Sequence, residues 1–308
     1  MNYQELFPKV LEKTYHNHKN ISTPNLPKIK IKCLFNEKNV SLPFLDIINI
    51  DKLSLKDLAG EIKSEIRISE SNPKIKHLRK VLVNKGFIES EVKGHIVSKL
   101  TTGDHMWEKF HKHTRNDIRM AEKSNLKLKK IDSKEELNIF YKLYLNEMRN
   151  FGTPQHSFKF FDNCLKIMKE SFIGWNCYKE NTLVGSIILF LSKDYAYVSY
   201  NVSNRKYRKY RPNDLLYWTA IKWCINSKIH SFDMGQVDIQ ASKRPREDNL
   251  LKFKKKWLGE EYRRIYFRKG FSTEGNRTSL LKRFRVVWKI LPKFVIRLIG
   301  PKICSRIA

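Results

Sequence analysis

Three strand-like stretches lie next to one another in residues 172–202 and limit the folds open to this chain. They read FIGWNCYKE, TLVGSIILFLS and YAYVSYNV, and each is rich in the β-branched and aromatic residues that favour strands. The residues KENT that join the first two are typical of a tight hairpin turn. We therefore expect three sequential strands of one sheet here.

Amphipathic helices precede and follow these strands. SKEELNIFYKLYLNEMRNFG has helical spacing, with Ser133 placed as its N-cap and Gly152 as its stop, and SFKFFDNCLKIMKES is a second helix. After the strands come the predicted helix PNDLLYWTAIKWCINSK, the strand HSFDMGQVD, the helix EDNLLKFKKKWLG and the strand EYRRIYFRK. The order α-α-β-β-β-α-β-α-β indicates an α+β fold, a mixed sheet with helices packed on it.

The first 130 residues contain weaker signals of the same two kinds. IKIKCLF and VSLPFLDIINI read as strands, and further strands are expected around residues 64–69 and 93–99. SLKDLAGEIKSEI has helical spacing, with Ser54 and Asp57 as a capping pair. DHMWEKFHKHTRNDIRMAEKSNLKL predicts a long helix that Asn125 ends in the left-handed conformation.

The charge of the chain favours a polyanionic partner. It has 61 Lys and Arg against 31 Asp and Glu, a formal net charge of +30. RNA, an anionic membrane surface or a phosphate-rich substrate would each suit this charge, although lysine-rich solvated faces would also produce it. The five cysteines are odd in number and lack CxxC spacing, which favours a reducing cytosol over a disulfide framework. The first residues resemble no signal peptide, no apolar stretch approaches 18 residues, and no ligand cluster predicts a metal site.

A basic loop between a strand and a helix is the clearest candidate for anion binding. Residues 203–223 read SNRKYRKYRPNDLLYWTAIKW. Unpaired N–H groups and the positive end of the dipole attract anions at the start of the following helix. The loop has no glycine, so its cations would contact a phosphate through side chains. Arginine can form two parallel bonds to phosphate, which suits Arg211 to this role, whereas Asn213 is also compatible with a plain helix cap.

The order of elements resembles a GNAT acyltransferase domain, and the motifs resemble its Fem-type, or FemAB-like, branch. The stretches that carry this resemblance, in order, are VSLPFLDI, HKHTRNDIRMAEKSNLKL, YLNEMRNFGTPQHSFKFF, YRKYRPNDLLYWTAIKW, FDMGQVD and LLKFKKKWLG, which together span roughly residues 40–265. The resemblance implies tandem GNAT-like domains. We expect an N-terminal unit over residues 1–130 that is short or truncated, an acyltransferase domain over 131–270 and a tail over 271–308.

The resemblance also implies an activity. It indicates a cytoplasmic enzyme that transfers an aminoacyl or acyl group to an amine of a cell-envelope precursor, such as lipid-linked peptidoglycan or polysaccharide. The donor co-substrate would be aminoacyl-tRNA or acyl-CoA, with no permanently bound cofactor. Two alternatives stay open: an acyl-CoA-dependent N-acyltransferase of envelope polysaccharide, and a non-catalytic protein that binds RNA or membrane.

Lys254 and Asp233 are the candidate catalytic residues. The resemblance implies that Lys254 stabilises a developing oxyanion or a donor phosphate. Without the resemblance, Lys254 could equally be a solvated lysine on an exposed helix face. Asp233 could orient the substrate amine, cap a strand or pair with a cation of the basic loop. The candidate residues for binding donor or substrate are Arg208, Arg211, Asn213, Asp238, Phe253, Arg115, Asn116 and Arg119.

The tail from residue 271 is basic and amphipathic. It holds nine Lys or Arg and one acid, Glu274, together with many large apolar residues. Such a helix is suited to lie on an anionic membrane, which predicts a peripheral position on the inner face. The alternative is a C-terminal helix that packs on the domain with its cations outward.

Overall fold

The computed structural model describes most of the chain in two compact units. Its described residues are 3–15, 18–20, 28–32, 37–41, 64–70, 75–237, 245–270 and 285–307. The first unit comprises Met1–Tyr3, His95–Asn150 and Cys164–Glu261, and the second comprises Gln4–Gly94, Phe151–Asn163 and Tyr262–Ala308. Two strands, β5 (Ile88–Lys99) and β11 (Gly259–Lys269), contribute residues to both units.

The first unit contains the three strands predicted in residues 172–202, which are β7 (Phe172–Lys179), β8 (Thr182–Ser192) and β9 (Tyr195–Ser203). Its other complete strands are β6 (Leu126–Lys130) and β10 (Ser231–Val237). Their order in the sheet is β10-β9-β8-β7-β6. The strands from β6 to β9 pair antiparallel, and Glu180 turns the β7–β8 hairpin with a φ of 55°. The predicted hairpin is therefore confirmed.

The strand β10 pairs parallel with β9, because a helix connects them. The register joins Ser231 to Tyr195 and Asp233 to Tyr197. Two residues after Asp233, Gly235 has a φ of +81°, which interrupts the regular strand. The side chains of Asp233 and its neighbours therefore lie where the regular part of the strand ends.

Helices pack on the strands of the first unit, and the core that they form contains many aromatic side chains. The helices are α3 (Gly103–Lys109), α4 (Lys112–Glu122), α5 (Lys134–Phe151), α7 (Pro212–Asn226) and α8 (Pro245–Lys255), and β11 follows α8. A further helix, α6 (Phe158–Met168), contributes residues to both units. Phe110 packs edge-on against Trp218 at 5.4 Å and against Trp257 at 5.7 Å between ring centroids. Trp257 is fully buried and its carbonyl accepts a hydrogen bond from Ser98. The C-terminal end of α8 is thus held firmly in the core.

The second unit contains the remaining strands of the sheet and a smaller core. It contains α1 (Tyr3–Thr14), β1 (His18–Asn20), β2 (Lys28–Lys32), β3 (Glu37–Ser41), β4 (Ser64–Ser69), α2 (Ile75–Asn84), a helical stretch over residues 285–290 and α9 (Lys293–Ile307). The sheet order is β1-β2-β3-β4-β11. Buried apolar residues of β4, α2 and β11 pack together with Phe87, which follows α2; they are Ile66, Ile68, Leu78, Leu82, Ile265 and Phe267.

The order of elements expected for residues 131–269 is confirmed, but one long helix is wrong. The stretch from Asp104 forms α3, α4 and β6, because Phe110 and His111 are extended and the His111 ring accepts the N–H of His113 as a new N-cap. Asn125 does adopt the left-handed conformation, with a φ of 49°. Helix α1 was missed because Pro8 lies inside it. Most of the predicted strand VSLPFLDIINI, and residues 54–63 of the predicted helix after it, lie outside the described residues.

Candidate functional site

Asp233 is fully buried at the end of the paired part of β10, with three polar groups around its carboxylate. Its Oδ1 accepts the backbone N–H of Gly235 at 2.6 Å, and its Oδ2 accepts the Tyr195 hydroxyl at 2.5 Å. His95, on the buried part of β5, places Nδ1 3.5 Å from the same Oδ2. Hydrogen bonds to an ionised carboxylate are strong and short, so the orientation of Asp233 is fixed.

Lys254 reaches this region from α8. It is only 6% exposed, and its Nζ donates to the carbonyl oxygen of Gln236 at 2.9 Å. Burial lowers the pKa of Lys254 to about 8, while the nearby negative charge of Asp233 acts in the opposite direction. The ammonium form therefore predominates at neutral pH, in a place with little solvent to screen its charge.

Gly235 keeps the space between these groups open. A Cβ at this position would lie 3.5 Å from the ring and hydroxyl of Tyr197 and 3.8 Å from Lys254 Nζ. Its φ of +81° is one that other residues rarely adopt. Glycine here lets the strand turn so that Gln236 offers its carbonyl to Lys254.

The arrangement can stabilise negative charge. A buried ammonium in a region of low dielectric interacts more strongly with an oxyanion than a solvated lysine does. The buried carboxylate of Asp233 favours the charged form of Lys254 and holds Tyr195 and the Gly235 turn. We interpret Asp233 as a positioning group, since its two oxygens already accept hydrogen bonds within the protein.

Arg211 lies in a second cluster of charges at the start of α7. It has a φ of 58°, and its Nη2 lies 3.0 Å from Asp117 Oδ1. Lys256 Nζ lies 3.1 Å from Asp117 Oδ2 and also contacts Asp214. Burial raises the pKa of Asp214, and the charge of Lys256 opposes that rise. The first turn of α7 therefore already contains the protein's own carboxylate.

The other loop residues differ in exposure. Arg208 is exposed within a 3₁₀ turn over Arg205–Tyr210. Asn213 donates from Nδ2 to Ser203 Oγ at 3.2 Å, while Asn201 donates to Asn213 Oδ1 at 3.3 Å. Asn213 thus joins the end of β9 to the start of α7.

Three candidates on α4 make contacts within the protein. Arg115 donates to the carbonyl oxygens of Trp107 at 3.4 Å and Glu108 at 3.0 Å. Arg119 lies over the Trp107 ring, 5.3 Å from its centroid, and donates to Asn116 Oδ1 at 3.5 Å. These contacts join α3 to α4, since the two helices are separated by the extended residues.

Phe253 packs edge-on against Tyr217, with ring centroids 5.0 Å apart, and belongs to the margin of the core. Asp238 lies outside the described residues. Of the candidates, the structure brings Lys254 and Asp233 together in one buried cluster and places Arg211 in the other.

Sequence reasoning missed His95, Tyr195 and Lys256. The available signal for His95 was a polar residue inside the apolar strand GHIVSK, and for Lys256 a third cation in FKKKW. Neither pattern predicts the partner of the residue. Asp233, which His95 contacts, and Asp117, which Lys256 contacts, are both distant in sequence.

Within the described parts of the chain, no group of three or more His, Cys, Asp or Glu side chains could hold a metal ion. The described helices also include none with the length and apolar character needed to cross a membrane.

Known proteins resemble this chain in one domain family and in overall fold. Residues 108–243 match the family described as acetyltransferase (GNAT) domain. The fold is similar to that of FemX, with a TM-score of 0.65 and 14% identity over 92% of this chain and 93% of that chain. It is also similar to the C-terminal domain of a putative lysylphosphatidylglycerol synthetase from Agrobacterium fabrum, with a TM-score of 0.60 and 11% identity over 93% of this chain and 92% of that chain.

A third similar structure is L-PGS from Bacillus licheniformis, with a TM-score of 0.55 and 10% identity over 92% of this chain and 96% of that chain. No curated protein matches this chain in sequence. The predicted α+β fold and the resemblance to a GNAT domain are therefore confirmed, and the fold is similar to that of FemX.

Proposed function

We propose, from the premise that this chain carries a GNAT domain with the fold of FemX, that it transfers an aminoacyl or acyl group to an amine. The observation that carries this proposal is the buried ammonium of Lys254 beside the fixed carboxylate of Asp233. Acyl transfer develops negative charge on the carbonyl oxygen of the donor, and a preorganised cation stabilises that charge.

In the proposed reaction, the neutral amine of the acceptor attacks the carbonyl carbon of the donor. The carbon–nitrogen bond forms and the carbonyl electron pair moves to oxygen, where Lys254 stabilises it. As the carbonyl re-forms, the bond to the leaving group breaks, and the amine's proton ends on the leaving group. Asp233 positions Tyr195 and the Gly235 turn, and its charge keeps Lys254 protonated.

We infer that aminoacyl-tRNA suits this chain better as donor than acyl-CoA. Asp214 lies in the first turn of α7 and competes with a compact pyrophosphate for the N-terminal end of that helix. The neighbouring 3₁₀ turn instead presents a row of exposed cations suited to an extended phosphate backbone, namely Arg205, Lys206, Arg208 and Lys209. Acyl-CoA remains the second candidate, because the matching family is described by acetyltransferase activity.

The acceptor we propose is an amine of a lipid-linked cell-envelope precursor, of peptidoglycan or polysaccharide type. One similar structure is named as a putative lysylphosphatidylglycerol synthetase, which supports an acceptor attached to lipid. Such an enzyme would work in the cytoplasm at the inner face of the membrane. A non-catalytic protein that binds RNA or membrane is the outcome expected if no transfer occurs.

The test uses the purified full chain with charged tRNA and, separately, with acetyl-CoA, each with an amine acceptor and over a series of salt concentrations. The proposal expects transfer from charged tRNA, with binding that weakens steeply as salt rises. Micromolar binding and turnover of acetyl-CoA without transfer from tRNA would favour the second candidate.

The matched variants are Lys254→Gln and Lys252→Gln on the same helix. Lys254 is buried and Lys252 is exposed. We expect Lys254→Gln to reduce kcat by about 100-fold or more, as loss of one oxyanion-stabilising group does. Equal turnover of the two variants would remove Lys254 from the reaction.

A further inference from the structure

A four-residue repeat runs through the C-terminal helical segment. Residues 285–300 read RVVW, KILP, KFVI and RLIG, so each group begins with a cation and continues with two or three large apolar residues. Four residues are slightly more than one helical turn, so equivalent positions of successive groups lie along one side of a helix. The segment forms helix over residues 285–290 and again in α9, with Leu291 and Pro292 between them.

The fourth position points into the protein in three of the four groups, whereas Pro292, the fourth residue of the second group, is exposed between the two helical stretches. Trp288 is 1% exposed, Ile296 is fully buried, and Gly300 is buried. Gln155 donates from Nε2 to the carbonyl oxygen of Ile296 at 2.7 Å, and a Cβ on Gly300 would lie 2.4 Å from the Gln155 amide. This inner side therefore packs closely on the rest of the second unit, to which the helix belongs, and fixes the rotation of the helix.

The second position of each group points the opposite way. A helix turns about 100° per residue, so residues two apart lie on opposite sides. Val286 is 65%, Ile290 72%, Phe294 67% and Leu298 68% exposed. The first positions, which hold Arg285, Lys289, Lys293 and Arg297, are exposed beside them. A row of large apolar side chains thus runs next to a row of cations.

We propose that this outer side, residues 285–302, is a docking surface for an anionic lipid bilayer. We call it the tetrad surface. Exposed apolar residues gain by leaving water for the boundary between headgroups and acyl chains, and adjacent cations gain from anionic headgroups. The sequence has no Asp or Glu after Glu274, so no carboxylate of the segment repels such a surface.

Other partners fit the tetrad surface less well. A second copy of the chain would bring two rows of cations against each other, with no acid in either segment to pair with them. A nucleic acid would contact the cations but would leave the apolar row in water. The surface is independent of the transfer reaction, since none of its residues belongs to the Lys254 cluster.

The experiment measures binding of the full chain to vesicles of phosphatidylcholine alone and of phosphatidylcholine with phosphatidylglycerol. Sedimentation yields the partition coefficient for the wild type and three variants. The first replaces Ile290, Phe294 and Leu298 with Ser; the second replaces Lys289, Lys293 and Arg297 with Gln; the control replaces the exposed Ile88, Met120 and Leu250 with Ser. All substituted side chains are exposed, and thermal unfolding confirms that each variant is folded.

We expect the wild type and the control to bind the phosphatidylglycerol vesicles and to bind phosphatidylcholine weakly. The charge variant should bind about 100-fold more weakly, since each cation near an anionic surface contributes about fivefold. The apolar variant should bind the phosphatidylglycerol vesicles at least about tenfold more weakly than the wild type.

Several results would overturn the proposal. They are equal binding of all variants, equal binding to both vesicle types, and a dimer in sedimentation velocity that the apolar variant abolishes while vesicles are not bound. Transfer to a soluble amine should be unchanged in both tetrad-surface variants. Loss of vesicle binding with intact transfer, or the reverse, therefore separates this proposal from the proposed reaction.

Discussion

Replacing Lys254 with Met should change how stability depends on pH. In the folded chain burial lowers the pKa of Lys254 from 10.5 to about 8. Below pH 8 the amine is protonated in both the folded and the unfolded chain, so its contribution does not vary with pH. Between pH 8 and 10.5 the folded chain releases the proton while the unfolded chain keeps it, and the free energy of unfolding rises with pH.

The size of this rise follows from the two pKa values. The difference between 10.5 and about 8 corresponds to about 3 kcal/mol, because one pKa unit is worth about 1.36 kcal/mol. The gain is complete above pH 10.5 and is lost as the pH falls to 8. Lys254→Met lacks the amine but keeps the apolar stem, so it should not show this rise.

Urea unfolding at pH 7.5 and pH 10 provides the measurement. The wild type should gain about 2 kcal/mol relative to Lys254→Met between these two pH values. Lys255→Met is the control, because Lys255 is exposed on the same helix and should track the wild type. Parallel pH profiles for the wild type and Lys254→Met would refute the burial of Lys254, on which the proposed reaction depends.

Three further predictions concern residues around the site. His95→Ala should lower kcat about tenfold with little change in KM, because Asp233 loses a neighbour that orients it, and His95→Gln should recover most of the rate in steady-state kinetics. Asp214→Asn should lower the free energy of urea unfolding by about 1–3 kcal/mol, since Lys256 loses a buried partner; unchanged stability would contradict that pairing. Gly235→Ala should lower the free energy of urea unfolding by about 1–2 kcal/mol, because the φ of +81° at this position is strained for any residue with a Cβ.

The sequence alone was sufficient for the order of the elements in residues 131–269. Hairpin turns, caps and the spacing of apolar residues depend on neighbours in the chain, so KENT, Ser133 and Asn125 behave as their local chemistry predicts. The resemblance that named Lys254 also rests on a short motif.

The composition of the two charge clusters depends on contacts between residues distant in sequence. His95 meets Asp233, and Arg211 and Lys256 meet Asp117, only because strands and helices distant in sequence pack together. In the C-terminal tail, too, the sequence determines one feature and the tertiary structure another. Its repeat is visible in the sequence, yet only packing on Gln155 decides that Ile296 is buried and Phe294 faces water. A periodic pattern fixes which residues share a side of a helix, whereas the choice of the buried side requires the surface against which the helix packs.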